Sequence, residues 1–147
     1  SAFLLIAGNG PDRARLEALA TDLVQDGSMK FLGRVPNGGE GALLHAMDAY
    51  LSYSQGGLGI LEAMAAGRTI ISTPEVFPET ELLKGNHNCF LSSDFSINAF
   101  AASMERAIRE PEQAHAAGLQ AQKTVKEKAG TRVMVNAFLN AIWHILN

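Results

Sequence analysis

The feature that most constrains the fold is the stretch from Tyr53 to Gly67, where a glycine-rich turn joins an apolar strand to a helix. Gly56, Gly57 and Gly59 leave a turn with almost no side-chain bulk. The residues at 60–65 are mostly apolar and predict a compact helix. Gly67 stands where a left-handed residue commonly ends such a helix. The stretch therefore predicts a strand–turn–helix unit.

A glycine turn that feeds a helix N-terminus is suited to binding an anion. Without Cβ atoms the backbone can approach a phosphate closely, and the free N–H groups of the first helical turn point at it. Glu62 lies about one turn further on, where a carboxylate can accept hydrogen bonds from sugar hydroxyls. The alternative is that the glycines only permit tight helix–sheet packing and that Glu62 is a solvated carboxylate stabilising the helix start. Spacing alone leaves both interpretations open.

Length and composition narrow the class of protein. A chain of 147 residues predicts one domain with a substantial core. Its net charge of −3 gives no electrostatic support for nucleic-acid binding. The sequence has no apolar run long enough for a membrane span and no signal-peptide pattern, and Cys89 is the only cysteine. We therefore expect a cytoplasmic protein without disulfides.

The beginning of the sequence indicates a piece of a longer protein. The first residue is Ser1, and the apolar strand over 2–7 starts immediately after it. We expect that an N-terminal portion precedes this chain.

The order of predicted elements indicates an α/β fold with a parallel sheet. Strands are predicted at 2–7, 29–32, 49–53, 69–72 and 89–91. Helices are predicted at 12–24, 40–48, 60–66, 80–84, 97–109, 111–128 and 132–146. Asp94 or Ser96 is expected to cap the helix that begins near residue 97. Phe138 and Trp143 are expected to be core or interface residues.

Several familiar sites are excluded by the sequence. Gly8-Asn9-Gly10 follows a strand, but Arg13 replaces the third glycine of a dinucleotide fingerprint and no acidic residue ends the second strand. We therefore expect only a backbone turn at Gly8 and Asn9 that lines a cleft. The four histidines lack metal-ligand spacing, so no metal site is expected. Ser54 has no evident base, and a nucleophilic serine is not expected.

Charged side chains near the predicted strand ends give weaker indications. The acidic group Glu75, Glu79 and Glu81 is interpreted as a solvated cluster. The cationic candidates are Arg13, Arg15 and Arg34, of which the first two are expected on a solvated helix face.

Five segments occur in the order seen in glycosyltransferase group 1, and together they resemble that family. The segments are LLIAGNGP at 4–11, FLGRV at 31–35, LEAMAAG at 61–67, IIST at 70–73 and the Pro-Glu pair at 78–79. Each is weak alone, but five in order with matching gaps are fairly specific. The resemblance covers nearly the whole chain.

The resemblance implies an α/β fold with a Rossmann-like parallel sheet flanked by helices and a helical C-terminal tail. This would be the C-terminal, donor-binding half of a two-domain retaining glycosyltransferase of polysaccharide or glycoconjugate biosynthesis. Such enzymes take a nucleotide-diphosphate sugar as donor and usually need no metal or other cofactor. The implied partners are the nucleotide sugar and an N-terminal acceptor domain of the same protein, with no nucleic acid. Contact with the inner face of a membrane would come only through other parts of the protein.

The resemblance also assigns roles to individual residues. Glu62 matches the glutamate that holds the donor ribose hydroxyls, and the backbone around Gly57 matches the turn that faces the diphosphate. Arg34-Val35 corresponds to the segment that lies against the base. The full set of implied donor-binding residues is Gly8, Asn9, Arg34, Val35, Ser54, Gly56, Gly57, Leu58, Gly59 and Glu62, and no catalytic residue is assigned.

The chain departs from the family pattern at three places. A second glutamate usually stands eight residues before the first, and here that position is Ser54. The loop after the fourth strand carries Glu75-Val76-Phe77 in place of the usual glycine pair. The family's phosphate-binding Arg and Lys lie upstream of residue 1. The first departure bears on donor choice or on catalysis itself.

The leading hypothesis is retaining glycosyl transfer from a nucleotide-diphosphate sugar to an unknown acceptor, with this chain supplying the donor-binding half and inactive alone. A second hypothesis, motivated by Ser54, is a non-catalytic binding or assembly module that has lost donor chemistry. A third is a nucleotide-sugar epimerase, which can share the two-domain architecture but needs no acceptor.

Overall fold

The structure is a computed structural model that describes residues 2–36, 38–53, 56–74 and 81–146. The chain divides into two compact units, residues 1–43 and residues 44–147. The strands are β1 (Leu4–Ala7), β2 (Met29–Gly33), β3 (Ala49–Ser52), β4 (Thr69–Ser72) and β5 (Phe90–Leu91). The helices are α1 (Arg13–Leu19), α2 (Thr21–Gln25), α3 (Glu40–Ala46), α4 (Gly57–Ala65), α5 (Ile97–Arg109), α6 (Pro111–Lys128) and α7 (Thr131–Leu146).

The first unit contains the parallel pair β1–β2, with Leu4 opposite Met29 and Ile6 opposite Phe31. The single helix predicted over 12–24 is divided at Ala20, which leaves helical geometry with φ −100° and ψ 14°. The hydroxyl of Thr21 donates to the carbonyl of Ala18 at 2.8 Å. Such a local hydrogen bond competes with the helical ladder and favours the break.

The second unit contains a three-stranded sheet in the order β3-β4-β5, with all strands parallel. Ser52 lies opposite Ser72, and Ile71 lies opposite Phe90. The predicted class, parallel strands flanked by helices, is confirmed. Successive strand residues point to opposite faces of a sheet. Helices of this unit pack against both faces.

The two faces of this sheet form separate apolar clusters. On one face Ile70 and Cys89 pack with α4 and with the C-terminal half of α6. On the other face Ile71 and Phe90 pack with α5 and with the N-terminal half of α6. Helix α6 therefore contributes to both clusters.

The loop between residues 81 and 88 replaces the short helix predicted at 80–84. Residue 80 lies outside the described residues, and residues 81–84 form no α-helix. The buried side chain of Asn88 accepts from the backbone N–H of Lys84 at 2.7 Å and donates to the carbonyl of Leu82 at 2.7 Å. These bonds satisfy backbone groups that a helix would have paired, and they hold the turn before β5.

The C-terminal helices differ in how they pack. Ser96 caps α5, accepting from the N–H of Ala99 at 3.1 Å, as one of the two predicted caps. No side chain of α7 is buried, and Phe138 and Trp143 are 66% and 63% exposed. These two are not core residues of this chain, and their interface role stays a prediction. Among the described helices, none is long and apolar enough to cross a membrane.

Candidate functional site

The start of α4 is built around glycines that close packing and backbone geometry require. A Cβ at Gly56 would meet the Ile60 side chain and lie 2.6 Å from the hydroxyl oxygen of Ser52. A Cβ at Gly59 would meet the hydroxyl of Tyr50. Gly57 has a φ of +53°, a left-handed conformation that residues with a Cβ rarely adopt.

The first turn of α4 presents backbone donors without a capping side chain. Gly56 at the N-cap has no side chain to bond the first N–H groups, and the first turn carries no acidic residue. A Cβ added at Gly57 would have nothing within 4 Å, so the space beside this residue is open among the described residues. Helix starts of this kind favour an anion through their N–H groups and dipole.

Glu62 lies on the exposed side of α4, one turn beyond Leu58, which is 74% exposed. Side chains four residues apart share one face of a helix, so both point away from the core. Burial raises the pKa of Tyr50, and the negative charge of Glu62 raises it further. Glu62 therefore places its charge on the same side of the sheet as Tyr50, beside the glycine turn.

Small hydroxyl residues lie at the carboxyl ends of all three strands in this unit, where they end β3 and β4 and follow β5. Ser52, Ser72, Thr73 and Ser92 are buried there. The N–H of Ser92 donates to the carbonyl of Ser72 at 2.9 Å, and the Ser72 hydroxyl has no hydrogen-bond partner among the described residues. Ligands of open α/β sheets bind at this edge. Sequence reasoning missed this row, although a serine at the end of each strand was the available signal.

Tyr53 connects the end of β3 to the loop that precedes α5. Its hydroxyl donates to the carbonyl of Phe95, and its ring packs edge-on against Phe100 with centroids 5.4 Å apart. The side chain remains 51% exposed. These two contacts hold Tyr53, the residue that follows β3. They therefore fix the point at which the chain leaves the sheet toward the glycine turn.

The predicted residues of the first unit lie at the carboxyl ends of its two strands. Gly8 has a φ of +127°, and its N–H donates to the carbonyl of Gly33 at 2.7 Å. Asn9 and Arg34 are exposed, and Val35 is half-buried. The two strand ends are therefore held together by backbone, with the side chains of Asn9 and Arg34 facing solvent.

The two arginines of α1 differ from each other. Arg15 and Asp12 form an exposed pair at 3.4 Å, as expected for a solvated helix face. Arg13 pairs with Glu17 at 2.8 Å, but its guanidinium also lies 2.8 Å from where a Cβ of Gly33 would be. Arg13 therefore lies over the end of β2, a position that helical periodicity alone did not reveal.

The predicted site residues fall into three groups. Gly8, Asn9, Arg34 and Val35 belong to the first unit. The second unit brings together Gly56, Gly57, Leu58, Gly59 and Glu62 on α4 and the residue before it. Ser54 lies outside the described residues, as do Glu75 and Glu79 of the acidic loop. No group of His, Cys, Asp and Glu in the described part of the chain has the geometry of a metal site.

Comparison with known protein families assigns the chain to one of them. The model of the glycosyl transferases group 1 family matches residues 1–124. The chain belongs to this family. No curated protein sequence is similar enough to serve as a relative.

Solved glycosyltransferase structures share the fold of this group 1 chain. A glycosyltransferase from Rickettsia africae is 18% identical with a TM-score of 0.83, and the match covers all of this chain and 41% of that one. A mutant of TarM from S. aureus, solved in complex with UDP, is 20% identical with a TM-score of 0.82, over 94% of this chain and 28% of that one. The C-terminal domain of the group 1 protein LpcC from Francisella tularensis is 18% identical with a TM-score of 0.72, over 88% and 86%. This group 1 chain thus spans less than half the length of the first two proteins.

Proposed function

We propose that this chain is the donor-binding portion of a retaining glycosyltransferase and that the start of α4 binds a nucleotide-diphosphate sugar. The observation that carries the proposal is the uncapped first turn of α4 with Glu62 exposed one turn beyond it. The open space beside Gly57 leaves room for a diphosphate to approach the backbone.

In the proposed mechanism, backbone groups and a side chain bind different parts of the donor. The backbone of Gly56, Gly57, Leu58 and Gly59 supports the diphosphate, most strongly as negative charge develops on the leaving group. The carboxylate of Glu62 accepts hydrogen bonds from the ribose hydroxyls and fixes the orientation of the donor.

The remaining donor contacts are proposed from the family resemblance. Ser54 is placed near the donor sugar, and Arg34 with Val35 is placed against the base. The resemblance also assigns donor contacts to Gly8 and Asn9. No metal and no catalytic side chain is assigned to this chain.

We propose that another part of the protein binds the acceptor. The chain matches 28% of TarM, whose structure contains UDP, so uridine nucleotides are the first probes. We expect an N-terminal domain to bind the acceptor, and we expect the 147 residues alone to transfer no sugar. A cytoplasmic location is part of the same proposal, because donor nucleotides are made there.

Ligand-observed NMR with UDP, GDP and ADP tests the site directly. We expect one nucleotide to bind selectively and Glu62→Ala to weaken it about tenfold or more, since a hydrogen bond to a charged group contributes about 1.5–3 kcal/mol. The matched control is Glu112→Ala, which removes another exposed carboxylate near a helix start, on α6. Equal binding by the wild type and Glu62→Ala would refute the assigned role of this carboxylate.

A second candidate is a non-catalytic binding or assembly module, favoured by Ser54 at the position of the family's second glutamate. The longer protein would then transfer no sugar from any nucleotide donor, whatever nucleotide the chain binds. Sugar transfer that is lost with Glu62→Ala in the longer protein would exclude this candidate.

A further inference from the structure

A cleft lies at the amino end of β5, away from the glycine turn. It has a volume of about 290 Å³, and its lining includes Asn86 and His87, which precede β5, and Gln113 and Gln120 of α6. The strands of this sheet are parallel, and the glycine turn follows the carboxyl end of β3. The cleft and the proposed donor site therefore lie at opposite ends of the same sheet.

The cleft contains an arginine without an ionic partner among the described residues. The guanidinium of Arg106 lies over the ring of Phe90, 4.6 Å from its centroid. Its Nε is buried and has no hydrogen-bond partner in the described part of the chain. One turn later on the same helix, Arg109 is exposed and pairs with Glu105 at 2.5 Å. Of these two arginines, the one in the cleft keeps a buried donor unused.

The guanidinium of Arg106 has an unused donor and is held in place. A buried N–H without a hydrogen-bond partner destabilises the folded state, and it does so more on a charged group. The cation–π contact with Phe90 restricts the Arg106 side chain, so less side-chain entropy is lost when Arg106 binds a ligand. A guanidinium presents a planar fork of donors that matches the two oxygens of a carboxylate.

The other polar groups of the cleft are complementary to the same kind of ligand. Asn86, Gln113 and Gln120 carry amides that can both donate and accept, and His87 adds a ring nitrogen. No acidic side chain is among the described residues that line the cleft. Its volume is at the lower limit of small-molecule sites, about 300 Å³, so a ligand of only a few carbon atoms fits.

We propose that this cleft binds a small organic carboxylate, held by the guanidinium of Arg106, which lies over the ring of Phe90, and by the amide side chains around it. The ligand is distinct from the donor nucleotide, because the cleft is at the opposite end of the sheet. The site stands whether or not the donor proposal holds.

The test uses the arginine side chains as their own reporters. The ¹⁵N-labelled 147-residue chain is titrated with sodium succinate at constant ionic strength, while the Nε–H signals of its arginines are followed by NMR. We expect a saturable shift of the Arg106 signal and none of the Arg109 signal, because the latter is exposed and already paired. Shifts of both signals alike, or no saturable shift of Arg106, would overturn the proposal.

Two variants and a second anion make the result specific. Arg106→Gln should abolish the saturable shifts of the backbone amides of Asn86 and Gln113, and Arg109→Gln should leave them intact. If the Arg106→Gln variant does not fold, the wild-type titration still tests the proposal, because it compares the Arg106 signal with the Arg109 signal. Saturation by inorganic phosphate but not by succinate would overturn the carboxylate assignment. Unchanged binding by a folded Arg106→Gln variant would overturn the role of the guanidinium.

Discussion

Gly118 is the position where an added methyl group should do most damage to the second unit. It lies in the middle of α6, where the helix crosses the backbone that leads from α4 into β4. A Cβ at this position would lie 2.5 Å from the carbonyl oxygen of Gly67 and 3.0 Å from backbone atoms of Arg68 and Thr69. Backbone cannot rotate away as a side chain can, so Gly118→Ala forces the helix off the strand.

The free-energy change follows from three contributions. Overpacking of this kind costs about 1–3 kcal/mol. Displacement of α6 also stretches the buried bond in which Thr69 Oγ1 donates to the carbonyl of Ala114 at 2.6 Å, which adds up to about 1 kcal/mol. Alanine gains about 1 kcal/mol over glycine in a helix interior. The net destabilisation should be about 2 kcal/mol, which lowers the Tm by about 4–8 °C in a chain of this size.

Urea denaturation followed by far-UV circular dichroism measures this change. The control is Gly41→Ala in α3, where an added Cβ has nothing within 4 Å, so alanine replaces glycine in a helix without a clash. We expect the control to be neutral or slightly stabilised. Thr69→Val should cost less in the Gly118→Ala background than in the wild type, because the displaced helix has already weakened the bond. A Gly118→Ala variant as stable as the wild type would refute the reasoning.

Two further predictions concern titratable groups of the second unit. Burial raises the pKa of Cys89 to about 12, so we expect its thiol to react with a disulfide reagent at about pH 8 only when urea unfolds the chain; fast reaction of the native protein would contradict this. Hydrogen bonds from Ser96, the larger cause, and from Ser93 lower the pKa of Asp94 from its ordinary value of 3.8. The ionised carboxylate therefore stabilises the folded chain above that pH. This stabilisation is lost as the pH falls through the lower pKa that Asp94 has in the folded state. Asp94→Asn should therefore lose less stability than the wild type between about pH 7 and pH 3 in urea titrations, and equal losses would exclude this role.

The fold was predictable wherever local pattern and burial agree. Apolar runs indicated the strands, the pair of candidate caps Asp94 and Ser96 indicated the start of α5, and Pro111 indicated the first residue of α6. The break at Ala20 was missed because it depends on a hydroxyl-to-carbonyl bond of Thr21 that apolar periodicity does not encode. The loop held by Asn88 was missed for the same reason, since one buried amide there replaces helical bonds.

The apolar stripe of α7 shows the limit of periodicity more clearly. Its spacing correctly predicted a helix, but Phe138 and Trp143 are exposed in this chain. An amphipathic pattern indicates that one face of a helix can be buried. The pattern does not specify which part of the protein covers that face, because this depends on tertiary contacts. Arg13 illustrates the converse, because a residue on a helix face reaches the end of a neighbouring strand in a way that sequence spacing does not specify.

The glycine turn left two interpretations open, and the structure separates them residue by residue. Packing against Ser52, Ile60 and Tyr50 accounts for Gly56 and Gly59 without any ligand. Gly57 is different, since its left-handed φ adjoins open space and no neighbouring atom among the described residues explains the absence of a side chain. A left-handed glycine also serves the turn itself, so both interpretations account for Gly57. The distinction between binding and packing therefore rests on the Glu62→Ala comparison, because donor binding predicts a weaker nucleotide affinity, whereas a solvated carboxylate that only stabilises the helix start predicts no change in affinity.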